Sequence, residues 1–209
     1  MKKCTLIAVS AIVACCVVGQ AKAEIVPIGE FVGEKSEGFE SQTPFQFLPS
    51  YDVFGGQGVV QQLGAGQGLH ITTGWGFFST VFPHSGDFFM GGAGVNAEWV
   101  FDTPALRFGG FFATNADVAG AVALFYDEAG ALIGESDVVA PLGDNWAWNG
   151  WETTTLGPGI KSVQIIANNG FNGFIMHDDM QYTAIPAPGA LALLALGAVG
   201  IRRKRKRAA

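Results

Sequence analysis

Between Glu24 and Ala184 no stretch carries a helical repeat of apolar residues. The apolar runs are short, and each is closed by Gly, Asn, Asp or Pro. This punctuation restricts the fold more than any other feature. A helix needs apolar residues three and four apart over about ten positions, whereas a strand needs only about four to eight residues of apolar character. "AVALFY" (121–126) leads into the turn "DEAG", and "ALIGESDVV" (131–139) returns, which predicts a β-hairpin. "KSVQIIAN" (161–168) alternates and then meets Asn169-Gly170; "GFIMHDDMQYTAI" (173–185) reads as the last strand. "GLHITTG" (68–74) and "AEWVFDTPALRFGGFFAT" (97–114) add more strands. Together they predict an all-β fold, a single antiparallel β-sandwich of the jelly-roll type. "GGQGVVQQLGAGQG" (55–68) reads as the most loop-like region. Without a strand-to-helix context it is not a phosphate-binding glycine loop.

The segments on either side are of another kind. Residues 1–23 run from Lys2 and Lys3 through apolar Thr5–Val18 to Ala21-Lys22-Ala23. Charge, oil and small residues in that order predict a signal peptide cut after Ala23. "IVAC", ending at Cys15, offers an alternative lipoprotein cleavage. All three cysteines (Cys4, Cys15 and Cys16) precede Ala23, so a domain of residues 24–184 has neither thiol nor disulfide. About 160 residues can form one core without cross-links.

Charge separates along the same boundaries. The stretch 24–184 holds all eighteen carboxylates against Lys35, Arg107 and Lys161 alone, a net −15. Such a surface repels nucleic acid phosphates and suits an exported protein. Six cations, Arg202, Arg203, Lys204, Arg205, Lys206 and Arg207, crowd the C-terminus instead. They follow an apolar run that spans roughly 25 Å as a helix, just short of the ~30 Å hydrocarbon core. A short transmembrane helix with its basic end in the cytoplasm fits this pattern, through bilayer thinning or snorkelling. The alternative is a buried terminal helix with a solvated basic end.

Residues 185–209, "IPAPGALALLALGAVGIRRKRKRAA", resemble a PEP-CTERM sorting domain. The Pro-x-Pro motif, the short apolar stretch and the Arg-rich end all fall in that family's order. The resemblance implies export through the Sec machinery, transient anchoring in the inner membrane, and recognition by an exosortase at Pro186, Ala187, Pro188 and Gly189. It also implies delivery to the cell surface, outer envelope or extracellular matrix. Ala187 departs from the Glu that the family name implies. Pro186 and Pro188 themselves disfavour helix and keep the motif extended, as a protease requires.

A second resemblance rests on "GFES" (38–41), "FYDEAG", "GW" (150–151) and "HDDMQY" (177–182). These are similar to segments of small exported β-sandwich domains and of jelly-roll carbohydrate-binding modules. That resemblance implies a structural Ca2+ held by Glu40 with Asp178 and Asp179, since carboxylates are hard oxygen ligands. Adjacent residues of a strand face opposite ways, so only one of the two Asp side chains is expected to ligate. The alternative is a solvated acidic pair.

In "NWAWNGWETT" (145–154), Trp146 and Trp148 share one strand parity, and Asn149-Gly150 reads as a turn that brings Trp151 back. Exposed, these indoles would form a sugar-stacking platform for an extracellular polysaccharide; buried, they would fill the core. Trp75, Trp99 and most Phe residues read as core. Catalytic patterns are lacking. His70, His84 and His177 have no paired metal spacing, no G-x-S-x-G occurs, and Asp127, Glu128 and Glu152 read as turn and surface acids. The expected protein is a non-enzymatic, structural or adhesive surface sandwich, or a carbohydrate-binding module.

Overall fold

The computed structural model describes residues 24–153, 157 and 159–186. The expected signal peptide with Ala21 and Ala23, the motif residues Ala187, Pro188 and Gly189, the apolar run and the cations 202–207 lie outside them. Among the described residues there are strands and no helix. In chain order they are β1 (Ile25–Ile28), β2 (Lys35–Glu37), β3 (Phe47–Leu48), β4 (Ser50–Val53), β5 (Gly58–Leu63), β6 (Gly68–Thr72), β7 (Trp75–Gly76) and β8 (Thr80–Val81). There follow β9 (Phe89–Ala93), β10 (Asn96–Thr114), β11 (Ala121–Tyr126), β12 (Leu132–Val138), β13 (Ala147–Thr153), β14 (Ile160–Ala167) and β15 (Ile175–Ala184). Every pairing between these strands is antiparallel.

The 19-residue β10 organises the molecule. Its first half pairs with β5 and β14, and its second half with β13 and β15. The break falls at Asp102-Thr103-Pro104, where the β14 ladder skips from Val100 to Ala105. Pro104 has no amide hydrogen to give a ladder, so the strand turns where pairing lapses. Just past it, where the β15 ladder slips between Ala105 and Arg107, buried positions switch from odd (Ala97, Trp99, Phe101, Ala105) to even (Phe108, Phe112). An extra residue in one strand inverts which face each side chain takes.

β10 therefore belongs to two sheets. One runs β4-β5-β10-β14-β11-β12; the other runs β1-β13-β10-β15, with β2 and β9 beside β15 and then β6 and β3. The arrangement is consistent with a β-sandwich. Trp99 and Phe125 from the first sheet meet Phe108, Trp151 and His177 from the second, with ring centroids 5.3–5.7 Å apart for Phe125–Trp151, Trp99–Phe108 and Trp99–His177. A smaller cluster of Val81, Phe89, Ala113 and Met176 lies beneath the β7–β8 hairpin, flanked by Trp75, Trp146 and Phe174.

Two expectations are corrected here. The stretch 55–68 contains strand β5. Gly55 and Gly56 (φ 69° and 80°) turn β4 back into β5, and Gly58 lets β5 approach β10 so closely that a Cβ there would sit 2.7 Å from the Val100 carbonyl oxygen. Asn149-Gly150 is not a turn either. β13 runs straight through it, with Gly150 opposite Gly109 on one side and Ile28 on the other.

Candidate functional site

The Gly109–Gly150 pair serves the ring of Trp148. A Cβ on Gly150 would meet the indole Nε1 at 2.8 Å, and one on Gly109 would meet Cζ2 at 3.0 Å. The indole thus lies across bare backbone on the outer face of the second sheet, half-buried, its N–H donating to the Ile28 carbonyl (3.3 Å). Phe31 and Phe111 stand nearly edge-on to it, at interplanar angles of 87° and 70°. The result is a slot with a flat floor and two aromatic sides.

A strap and a loop bound this slot. β1 lies at one edge beside β13, and β2 lies beyond β15, so residues 29–34 must cross β13, β10 and β15. Four strand intervals are about 19 Å, close to the reach of so short a segment. Val32 at 96% exposure shows that the strap crosses on the solvent side. Gln181 fastens it, accepting a hydrogen bond from the Gly33 amide (3.0 Å). On the other side, His84 from the loop 82–88 stacks on Phe111 with centroids 3.7 Å apart. Strap, floor and loop enclose a groove of about 330 Å³ lined by Trp148, Phe111, His84, Asp179, Gln181 and the strap residues 30–36.

Three carboxylates hold the loop 82–88. Glu40 Oε1 accepts from the Asp87 and Phe88 amides (2.9 and 3.1 Å). Asp178 Oδ2 accepts from the His84 and Ser85 amides (2.8 and 3.3 Å), and its Oδ1 from the Asp179 amide (2.8 Å). Asp179 takes the His84 ring Nδ1 (2.7 Å) and the Ser85 hydroxyl (2.8 Å). Glu40, Asp178 and Asp179 do converge, on hydrogen donors of this loop. Among the described residues no group of three His, Cys, Asp or Glu has a metal-holding arrangement. The expectation that adjacent Asp178 and Asp179 face opposite ways fails for a local reason. Between Gly109–Gln181 and Phe111–Asp178 the ladder gains a residue on β15, and Asp179 takes φ 47°. The bulge re-aims both side chains at one loop.

Burial, reinforced by the charge of Asp179, pushes Asp178 up to about 7 against the pull of three amide hydrogen bonds. Its neighbour His177 faces the core between Trp99 and Phe112, and burial lowers it to about 3. Burial also raises Glu37, opposed by the amides of Phe39 and Phe54 that its carboxylate holds.

The three expected ligand-binding indoles part company. Trp148 floors the groove. Trp146 flanks it, 6.2 Å from His84, with its N–H on the Phe82 carbonyl (3.0 Å). Trp151 is 1% exposed and packs between the sheets. Asp127 caps its own turn through the Ala129 and Ala131 amides, and Glu152 pairs with Arg107 at 2.8 Å. Phe31, Phe111 and Gln181 carry no signal in the sequence that assigns them to a site, and His84 stands there only as a histidine without metal spacing. Long-range pairing brings them to the groove, and that register is invisible without the fold.

No family model matches the chain, and no curated protein does. Among solved structures, the CBM22-1 xylan-binding domain from Paenibacillus barcinonensis Xyn10C is similar at 12% identity, with a TM-score of 0.44. The match covers 76% of this chain and 99% of that one.

Proposed function

We propose that this is an exported, non-catalytic β-sandwich of jelly-roll type that contacts extracellular polysaccharide through the strapped groove. Presentation at the cell surface or in the matrix would follow sorting of its C-terminal tail by an exosortase. The observation that carries the binding reading is the indole floor of Trp148 between the edges of Phe31 and Phe111. A pyranose presents flat C–H faces that stack on an indole, and its rim hydroxyls need polar partners, which Gln181, Asp179 and Ser36 supply beside the floor. The sorting reading rests on Pro186-Ala187-Pro188-Gly189, the short apolar run and the six terminal cations. A structural Ca2+ at Glu40, Asp178 and Asp179 belongs to the same resemblance, although the hydrogen donors already facing those oxygens do not favour it.

Affinity electrophoresis of the full chain through gels containing polysaccharide tests the binding reading. Trp148→Ala is expected to lose retardation while the circular dichroism melt is kept. Retardation unchanged by Trp148→Ala, or no retardation of the wild type by any polysaccharide, overturns it, and turnover of a polysaccharide overturns the non-catalytic part.

A further inference from the structure

The polar equipment of the groove is uneven in sign. Glu30 and Glu34 on the strap and Asp179 on β15 line it, against Lys35 and the His84 ring, which Asp179 already holds. Among the described residues the ion pairs are Arg107–Glu152 and His84–Asp179, so neither Glu30 nor Glu34 has a cationic partner, and both are exposed at the mouth. Glu34 accepts only a long contact from the Ala184 amide (3.4 Å). The surrounding domain carries −15. Field lines from such a surface concentrate in a cleft and raise the local concentration of cations while excluding anions. The aromatic faces act in the same sense, because an indole attracts an ammonium group over its ring.

Resting on the polysaccharide reading above, we infer that the groove selects a glycan carrying free amino groups, a polymer of deacetylated amino sugar. One pyranose face stacks on Trp148, and its ammonium group meets Glu30 and Glu34. A neutral glycan keeps the stacking but leaves the two carboxylates without a partner. A uronate polymer brings carboxylates toward carboxylates and is repelled.

The full chain, purified in detergent, is titrated by calorimetry at mildly acidic pH and low salt. The probes are β-1,4-linked glucosamine oligomers, the same oligomers N-acetylated, cello-oligosaccharides and polygalacturonate. The glucosamine oligomer is expected to bind roughly tenfold tighter than its acetylated twin, with the margin shrinking as salt is added. The double variant Glu30→Gln/Glu34→Gln is expected to erase the margin without moving the melt. Glu135→Gln/Asp137→Asn, on the exposed face of β12, is expected to leave it intact. Equal or weaker binding of the glucosamine oligomer overturns the inference while the general polysaccharide reading survives. So does a margin lost equally in both double variants, which would assign it to the overall field. Failure of every glycan to bind defeats the underlying reading itself.

Discussion

A side chain that lies flat on a sheet needs backbone without side chains beneath it, and Gly150 and Gly109 meet that need for Trp148. The two glycines are not equivalent. A Cβ on Gly150 meets the indole, which can shift, whereas one on Gly109 meets the Asn149 carbonyl oxygen and the Gly150 Cα, both at 2.7 Å. Gly150→Ala is expected to cost about 1–3 kcal/mol, the usual range for overpacking, and Gly109→Ala more. Urea melts of both variants check the order. Gly150→Ala should also weaken retention on polysaccharide gels, since it tilts the floor. Trp151→Ala is a different kind of change: it leaves a void between the sheets and is expected to cost about 3–5 kcal/mol. Within six residues of the chain, the indoles of "WAWNGW" could not be sorted by composition. The Asn-Gly pair reads as a turn because those residues favour one locally. Their real setting is a mid-sheet position chosen by long-range pairing.

At the scale of the element, β15 carries two titrating neighbours that point opposite ways from one backbone. His177 is held neutral, at about 3, in the core, and Asp178 is held at about 7 under the loop 82–88. The unfolded chain protonates His177 below its ordinary value while the fold does not, so acid weakens the fold through this group between about 6.5 and 3. Asp178 acts in reverse. The fold takes its proton more readily than the unfolded chain, so stability rises as pH falls from about 7 toward the ordinary carboxylate range. Over the shared window the two contributions oppose, each with a limiting slope of about 1.4 kcal/mol per pH unit. Glu37, also raised, adds to the sign of Asp178. Relative to wild type, His177→Phe is expected to gain stability progressively from pH 6.5 to 4. Asp178→Asn is expected to lose it over the same range. Denaturant melts at stepped pH measure both, and parallel pH profiles for the three proteins would contradict the pairing. That 173–185 forms the last strand was legible in "GFIMHDDMQYTAI". The bulge at Asp179 was not, because it depends on where Gly109 and Phe111 stand on the neighbouring strand.

On the scale of the whole molecule, the described chain begins and ends at the same end of the second sheet. Ile25 pairs with Thr153 and Ala184 with Ala105, and the Ile185 amide donates to the Pro104 carbonyl (2.9 Å) at the corner of β10. Three strand intervals, about 14 Å, separate the two ends. β1 starts two residues after Ala23, and β15 finishes before Pro186, so neither proposed cleavage removes a rung of the ladder. Intact mass of the protein recovered from the cell surface is expected to show a chain starting at Glu24 and shortened at the sorting motif. Its melt is expected to match that of the unprocessed form. A mass that retains residues 202–207 at the cell surface would count against sorting by cleavage. The all-β class and most strands were legible, because alternation and glycine punctuation are local signals. The two-sheet division was hidden in β10. Its sequence reads as one continuous strand, and only the Asp102-Thr103-Pro104 interruption hints that it serves two partners.

The corner also decides how the protein would carry a load. A glycan gripped beside Trp148 and a tail pulled at Ile185 would draw β15 lengthwise past β10 and β2. Strands pulled along their axes share the strain among all their hydrogen bonds at once, whereas strands peeled from one end surrender them singly. Under such a load β15 would meet shear along its ladders, the stronger of the two modes.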